Sequence, residues 1–89
     1  MLKEEFLEKS HALTWDEKKV LYFSCKAQLK EAETGIPSSE KAVAAQVGLD
    51  YLTYDEILNS ALNKVGFWPD ASMHICEVVD EAFDNSDFI

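Results

Sequence analysis

The chain contains no arginine. Its eight basic residues are all lysines, against 17 acidic residues, and the formal net charge is −9. A protein that binds DNA, RNA or an anionic membrane needs basic side chains to displace the counterions around the phosphates. The composition therefore disfavours nucleic acid and membrane surfaces as partners, and it favours a basic partner protein.

Glycine, proline, cysteine and long apolar runs are also scarce. Three glycines and two prolines suit helices better than a fold of strands and turns. Two cysteines are too few for a disulfide scaffold, and no apolar run approaches the roughly 20 residues of a membrane span. The segment Met1–Glu5 lacks the apolar core of a secretory signal, so we expect a cytoplasmic protein.

Apolar side chains, in contrast, are abundant. Hydrophobic residues make up 47% of the chain, and five Phe, three Tyr and two Trp are among them. This is more than an acidic disordered segment carries, and 89 residues suffice for one domain. We predict a single helical domain over residues 1–89: an all-α, compact bundle of four to five short helices with a helix-turn-helix-like centre.

The first two helices have clear boundaries. Apolar residues at helical spacing predict a short helix from about Leu2 to Ser10. Thr14 and Glu17 form the pattern of a capping box, in which each side chain bonds to a backbone N–H at the start of a helix. Gly35 suits the left-handed residue that ends this second helix.

The third and fourth helices are predicted from the same kinds of signal. Ser38 is expected to cap a short helix over Ser39–Val47. Thr53–Glu56 repeats the capping-box pattern, with Leu52 before it as a leucine precedes the first box, so the fourth helix is expected to start there. Gly66 is expected to end it.

Residues 40–59 fit the pattern of a helix-turn-helix, with small and apolar residues on both sides of a glycine turn. These residues are Val43, Ala44, Val47, Gly48, Leu49, Tyr54 and Ile57. The stretch 28–58, with Gly-Ile-Pro-Ser-Ser-Glu-Lys-Ala-Val-Ala-Ala-Gln-Val-Gly-Leu at its centre, resembles region 3 of bacterial sigma factors. The resemblance implies a tri-helical unit and, as one alternative, a transcription-associated factor.

The charges of this unit oppose DNA binding. The positions that would face the major groove hold Asp50, Tyr51, Asp55, Glu56 and Asn59. Carboxylates at these positions would approach phosphates, and the nearby basic residues are only Lys41 and Lys64. We therefore expect a helical packing unit rather than a DNA reader.

A fifth helix is predicted from about Ala71 to Phe83, although its β-branched residues leave a strand as an alternative. At 100° per residue its apolar side chains, Ile75, Val79, Ala82 and Phe83, lie on one side. Its other side carries carboxylates with Met73 among them. We call this set the C-terminal acidic face: Asp70, Met73, Glu77, Asp80, Glu81 and Asp84.

The main functional hypothesis follows from this charge. We expect a non-enzymatic module that docks onto or inhibits a basic protein, such as a nuclease or a nucleic-acid-handling protein, by occlusion. In class it is similar to colicin-type immunity proteins and phage-encoded nuclease inhibitors. The C-terminal acidic face is the first candidate surface. Asp50, Asp55 and Glu56, here called the central acidic patch, are the second.

A third hypothesis concerns lysines. Lys19, Lys26 and Lys30 lie close together on the second predicted helix. They could hold an anionic small molecule in an oligomer, but pairing with the acidic half of the chain is the favoured interpretation.

The sequence predicts no metal, no other cofactor and no catalytic residue. His74 and Cys76 would point about 200° apart on a helix, which prevents joint chelation. Cys25 is interpreted as a small core residue. Phe88 and Ile89 are expected either to enter the core or to form an exposed anchor.

Overall fold

The computed structural model describes residues 3–37, 39–66, 72–84 and 88. Within these residues it contains five α-helices and no strand, which confirms the all-α prediction and makes the fifth segment a helix. No described helix is both long and apolar enough to cross a membrane. The helices are α1 (Lys3–Ser10), α2 (Trp15–Thr34), α3 (Glu40–Gln46), α4 (Tyr51–Val65) and α5 (Ser72–Ala82).

The longest helix, α2, begins and ends as predicted. The Glu17 backbone N–H donates to Thr14 Oγ1 at 3.2 Å, and the Thr14 N–H donates to Glu17 Oε1 at 2.9 Å, which completes the capping box. At the other end Gly35 adopts a φ of 72°, and its N–H donates to Glu31 O at 2.8 Å.

The predicted start of α4 was wrong by several residues. The N-cap is Asp50, and Thr53 lies inside the helix, so Thr53 and Glu56 form no capping box at its start. The reason lies in the turn before it: Gly48 has a φ of 77°, and the Leu49 N–H donates to Ala44 O at 2.9 Å. This tight turn brings Asp50, a favourable N-cap residue, to the point where α4 begins. Gly66 ends α4 as predicted.

Helix α3 is shorter than predicted at both ends. It covers Glu40–Gln46, and its N-cap residue is Ser39, whose side chain makes no capping hydrogen bond. The predicted cap, Ser38, lies outside the described residues. Val47 and Gly48 form a turn instead of a further helical step, because the chain must reverse before α4.

The core consists of two groups of buried side chains on opposite sides of α2. Phe23 and Leu58 touch both groups and join them. The smaller group, where α3 and α4 meet α2, contains Val20, Val43, Ala44, Val47 and Tyr54. The larger group contains Phe6, Leu13, Leu21, Tyr22, Cys25, Ala61, Val65, Cys76, Val78, Val79 and Phe88.

Phe88 settles one alternative left open by the sequence. Its ring is buried, with its centroid 5.1 Å from that of Tyr22 and 5.8 Å from that of Phe83. Contacts of this geometry stabilise aromatic clusters beyond simple burial of area. Phe88 is therefore a core residue and no surface anchor.

Candidate protein-interaction surface

The central acidic patch surrounds an exposed leucine at the start of α4. The Leu52 side chain is 72% exposed, and Tyr51 beside it is 38% exposed. Asp55 and Glu56 follow Leu52 by three and four residues, so they share its side of the helix. Asp50 is exposed at the N-cap. An apolar side chain thus projects to solvent with carboxylates around it.

In the sequence, Leu52 and Leu13 occupy equivalent places, each directly before a Thr-aromatic-Asp-Glu sequence. In the structure Leu13 is buried before α2, whereas Leu52 is exposed. Because α4 begins at Tyr51, Leu52 is in its first turn and faces outward. No local signal distinguished the two leucines, since both precede the same Thr-aromatic-Asp-Glu sequence.

A hydrogen bond extends this surface onto α3. The Tyr51 hydroxyl donates to Glu40 Oε2 at 2.9 Å, and this bond to the carboxylate raises the pKa of Tyr51. Within the patch, Asn59 Nδ2 donates to Asp55 Oδ2 at 3.4 Å. Glu40 therefore adds a further carboxylate next to the aromatic ring.

The structure places only part of the C-terminal acidic face. Glu77, Glu81 and Asp84 are exposed. Asp80 is half-buried and accepts a salt bridge from Lys26 Nζ at 2.6 Å, so it is engaged within the molecule. This hydrogen bond raises the pKa of Lys26. Asp70 and the side chain of Met73 lie outside the described residues.

The lysines on α2 do not form a free cationic stripe. Lys26 pairs with Asp80, as the favoured interpretation expected, and Lys19 Nζ lies 4.9 Å from the centroid of the Trp15 ring. Lys30 and Lys26 line a surface groove together with Glu33 and Asp80. Two lysines and two carboxylates balance each other there, so the groove has no preference for an anion.

A buried carboxylate at the opposite end of α2 was missed. Glu17 is 5% exposed; besides its capping role it accepts hydrogen bonds from Ser60 Oγ at 2.7 Å and Lys64 Nζ at 2.6 Å. Burial acts to raise the pKa of Glu17, but the hydrogen bonds from Lys64, Thr14 and Ser60 outweigh it and lower the pKa to about 2. Its partners on α4 are distant in sequence, so no local pattern could reveal them.

The two cysteines are both buried in the larger core group. Cys25 is 4% exposed and Cys76 is 1% exposed, and both are free thiols. The core role predicted for Cys25 is confirmed; that of Cys76 was not foreseen. The Cys76 Sγ donates to Gln28 Oε1 at 3.4 Å. Within the described residues, no group of three or more His, Cys, Asp or Glu side chains could hold a metal ion.

No protein-family model matches the chain, and comparison with curated proteins and with solved structures gives no significant match. What the protein binds must therefore be inferred from its own charges, exposed side chains and contacts.

Proposed function

We propose that the protein is a binding module that docks onto a basic partner protein and acts by occlusion. The observation that carries the proposal is the exposed Leu52, which stands among the carboxylates of the central acidic patch. An apolar anchor within a charged rim is the usual arrangement of a protein interface.

The leucine and the carboxylates contribute in different ways. Burying a leucine side chain yields about 1.5–3 kcal/mol, which makes Leu52 the main source of affinity in this patch. The surrounding carboxylates favour a partner with lysine or arginine around an apolar pocket, and they accelerate its approach. Tyr51 adds an aromatic surface of the kind that is enriched at interfaces.

The sign of the charge also selects the class of partner. Asp50, Asp55 and Glu56 occupy the positions that a helix-turn-helix would present to DNA, and carboxylates there repel phosphates. Lys64, one of the few basic residues nearby, is held by Glu17. A basic protein is therefore favoured over nucleic acid. Glu77 and Glu81 on α5 would provide a second set of contacts.

The test is a pull-down from the native lysate, at low and at high salt, with a matched pair of variants. Leu52→Ser removes the proposed anchor. Ile36→Ser removes a side chain of similar exposure, 69%, from the segment between α2 and α3. We expect wild type and Ile36→Ser to retain the same basic protein at low salt, and Leu52→Ser to retain it about tenfold less.

Two results would contradict the proposal. One is equal retention by the two variants, since Leu52 would then contribute nothing. The other is retention of no basic protein, or only of an acidic one, by the wild type. Circular dichroism of both variants checks that the helices are intact. We expect them to be, because neither substitution changes a buried residue.

A further inference from the structure

A second feature of the molecule is independent of the proposed interaction. Cys25 on α2 and Gln28, one helical turn later, lie on the same side of that helix. Cys76 on α5 hydrogen-bonds to Gln28 and belongs to the same buried group as Cys25. The salt bridge between Lys26, the residue after Cys25, and Asp80, one helical turn after Cys76, also links the two helices. Two free thiols from different helices thus lie in one buried group between α2 and α5.

We propose that Cys25 and Cys76 form a redox-active dithiol, which hydrogen peroxide converts into an intramolecular disulfide that links α2 to α5. In the first step, the Cys76 thiolate attacks one peroxide oxygen, the O–O bond breaks, and a sulfenic acid and hydroxide form. In the second, the Cys25 sulfur attacks the Cys76 sulfur, the S–O bond breaks, and water leaves with the Cys25 proton. Overall two thiols lose two electrons, and one peroxide becomes two waters.

The two cysteines have different roles: one attacks the peroxide, and the other attacks the resulting sulfenic acid. The neighbouring Cys76 thiol and burial both raise the pKa of Cys25. The attack on the peroxide is assigned to Cys76 because its sulfur hydrogen-bonds to Gln28, whose side chain is exposed. Cys25 keeps its proton until it attacks the sulfenic acid.

Both thiols are buried, and Cys76 is 1% exposed. Gln28, whose oxygen accepts the hydrogen bond from Cys76, is itself exposed. The proposal requires that a rotation of the Gln28 side chain uncover the Cys76 sulfur for a molecule as small as peroxide. It therefore requires oxidation of the folded protein, which ordinary core cysteines would not show.

The experiment treats the reduced, full-length protein with hydrogen peroxide at pH 7, without denaturant. The remaining thiols are then alkylated, and the intact mass is measured. We expect a monomer that has lost the mass of two hydrogen atoms and takes up no alkylating reagent. Because the disulfide closes a loop of about 50 residues, the melting temperature should rise by roughly 15 °C or more. Dithiothreitol should reverse both changes.

Three variants assign the roles. In Cys25→Ser, Cys76 should accumulate as a sulfenic acid that dimedone traps, with no rise in melting temperature. In Cys76→Ser, Cys25 should stay reduced. In Gln28→Ala, which leaves both thiols in place, the disulfide should form several-fold faster.

The wild-type protein alone can overturn the proposal, even if a cysteine variant fails to fold. It fails if oxidation occurs only in urea, if the product is a disulfide-linked dimer, or if Cys76 proceeds to a sulfinic acid while Cys25 stays reduced. None of these results depends on the identity of a partner protein.

Discussion

Glu17 shows how one residue can serve two structural purposes. Its carboxylate caps α2 through the Thr14 N–H, and it also pairs with Lys64 and Ser60 of α4. A buried charge is tolerated only when such partners compensate for its lost hydration. This site therefore couples the start of one helix to the last two turns of another.

Replacing Glu17 should expose this coupling. We expect Glu17→Gln to lower the free energy of unfolding by about 2 kcal/mol, because the amide carries no charge for Lys64 and caps less well. Urea denaturation measures the change. Glu4→Gln, an exposed substitution on α1, should stay within about 0.5 kcal/mol of wild type. If the two variants are equally stable, the hydrogen bonds of Glu17 with Thr14, Ser60 and Lys64 contribute nothing to the free energy of unfolding.

The same residue predicts an acid dependence. The pKa of Glu17 falls from 4.5, its ordinary value, to about 2 in the folded protein. The stabilisation is therefore complete above pH 4.5 and is lost as the pH falls from 4.5 towards 2. This stabilisation amounts to at most about 3 kcal/mol, and solvent screening around the exposed Lys64 side chain reduces it.

Urea denaturation of wild type and Glu17→Gln at several pH values tests this dependence. The difference in stability should be constant from pH 5 to 7 and should shrink below pH 4.5. A difference that persists unchanged at pH 2 would show that the carboxylate charge is not the source.

At the scale of the elements, sequence patterns predicted the features that depend on residues close together in the sequence. The five helices, the capping box at Thr14 and the glycine ends at Gly35 and Gly66 all follow from local backbone hydrogen bonds. The start of α4 was missed because Asp50 and Thr53 are both good N-cap residues, and the turn from α3 decides between them.

The candidate surfaces were predicted less completely, for a physical reason. Helical periodicity places Glu77 and Glu81 outside, and both are exposed. It cannot show that Asp80 pairs with a lysine of α2, or that Leu52 remains exposed. Both depend on contacts between helices that are distant in the sequence.

Charge reversal on separate helices can test whether each acidic surface contributes to binding. Asp55→Lys with Glu56→Lys changes the central acidic patch, and Glu77→Lys with Glu81→Lys changes α5. The control, Glu4→Lys with Glu8→Lys, makes the same change in net charge on exposed residues of α1.

We expect the α4 and α5 pairs each to weaken binding of the retained protein by about tenfold or more, and the α1 pair by much less, since only charges near the interface act strongly. Binding can be measured by titration of the purified partner at low salt. Equal losses in all three double variants would mean that only net charge matters.

The whole molecule combines a helix-turn-helix-like centre with a net charge of −9. Three of its lysines are held in salt bridges by Glu5, Asp80 and Glu17. The eight lysines are outnumbered by the 17 acidic residues. We therefore expect electrostatics to outweigh the shape of the α3–α4 unit in deciding the partner.

An electrophoretic mobility-shift assay at low salt tests this conclusion, because even non-specific DNA binding is strongest there. We expect no shift of duplex DNA at micromolar protein concentrations. A shift that disappears as salt rises would support the transcription-associated alternative and would contradict the proposed preference for a basic protein.

The double role of Glu17 also bears on which changes in chain length the protein can accept. One residue inserted into α2 after Glu17 would rotate the rest of that helix by about 100° and carry its core side chains away from α4 and α5. Ile36 and Pro37, between α2 and α3, are exposed and lie outside both helices, so a residue added there rotates neither of them. Insertions and deletions in related sequences should therefore accumulate between these two helices and be rare within α2.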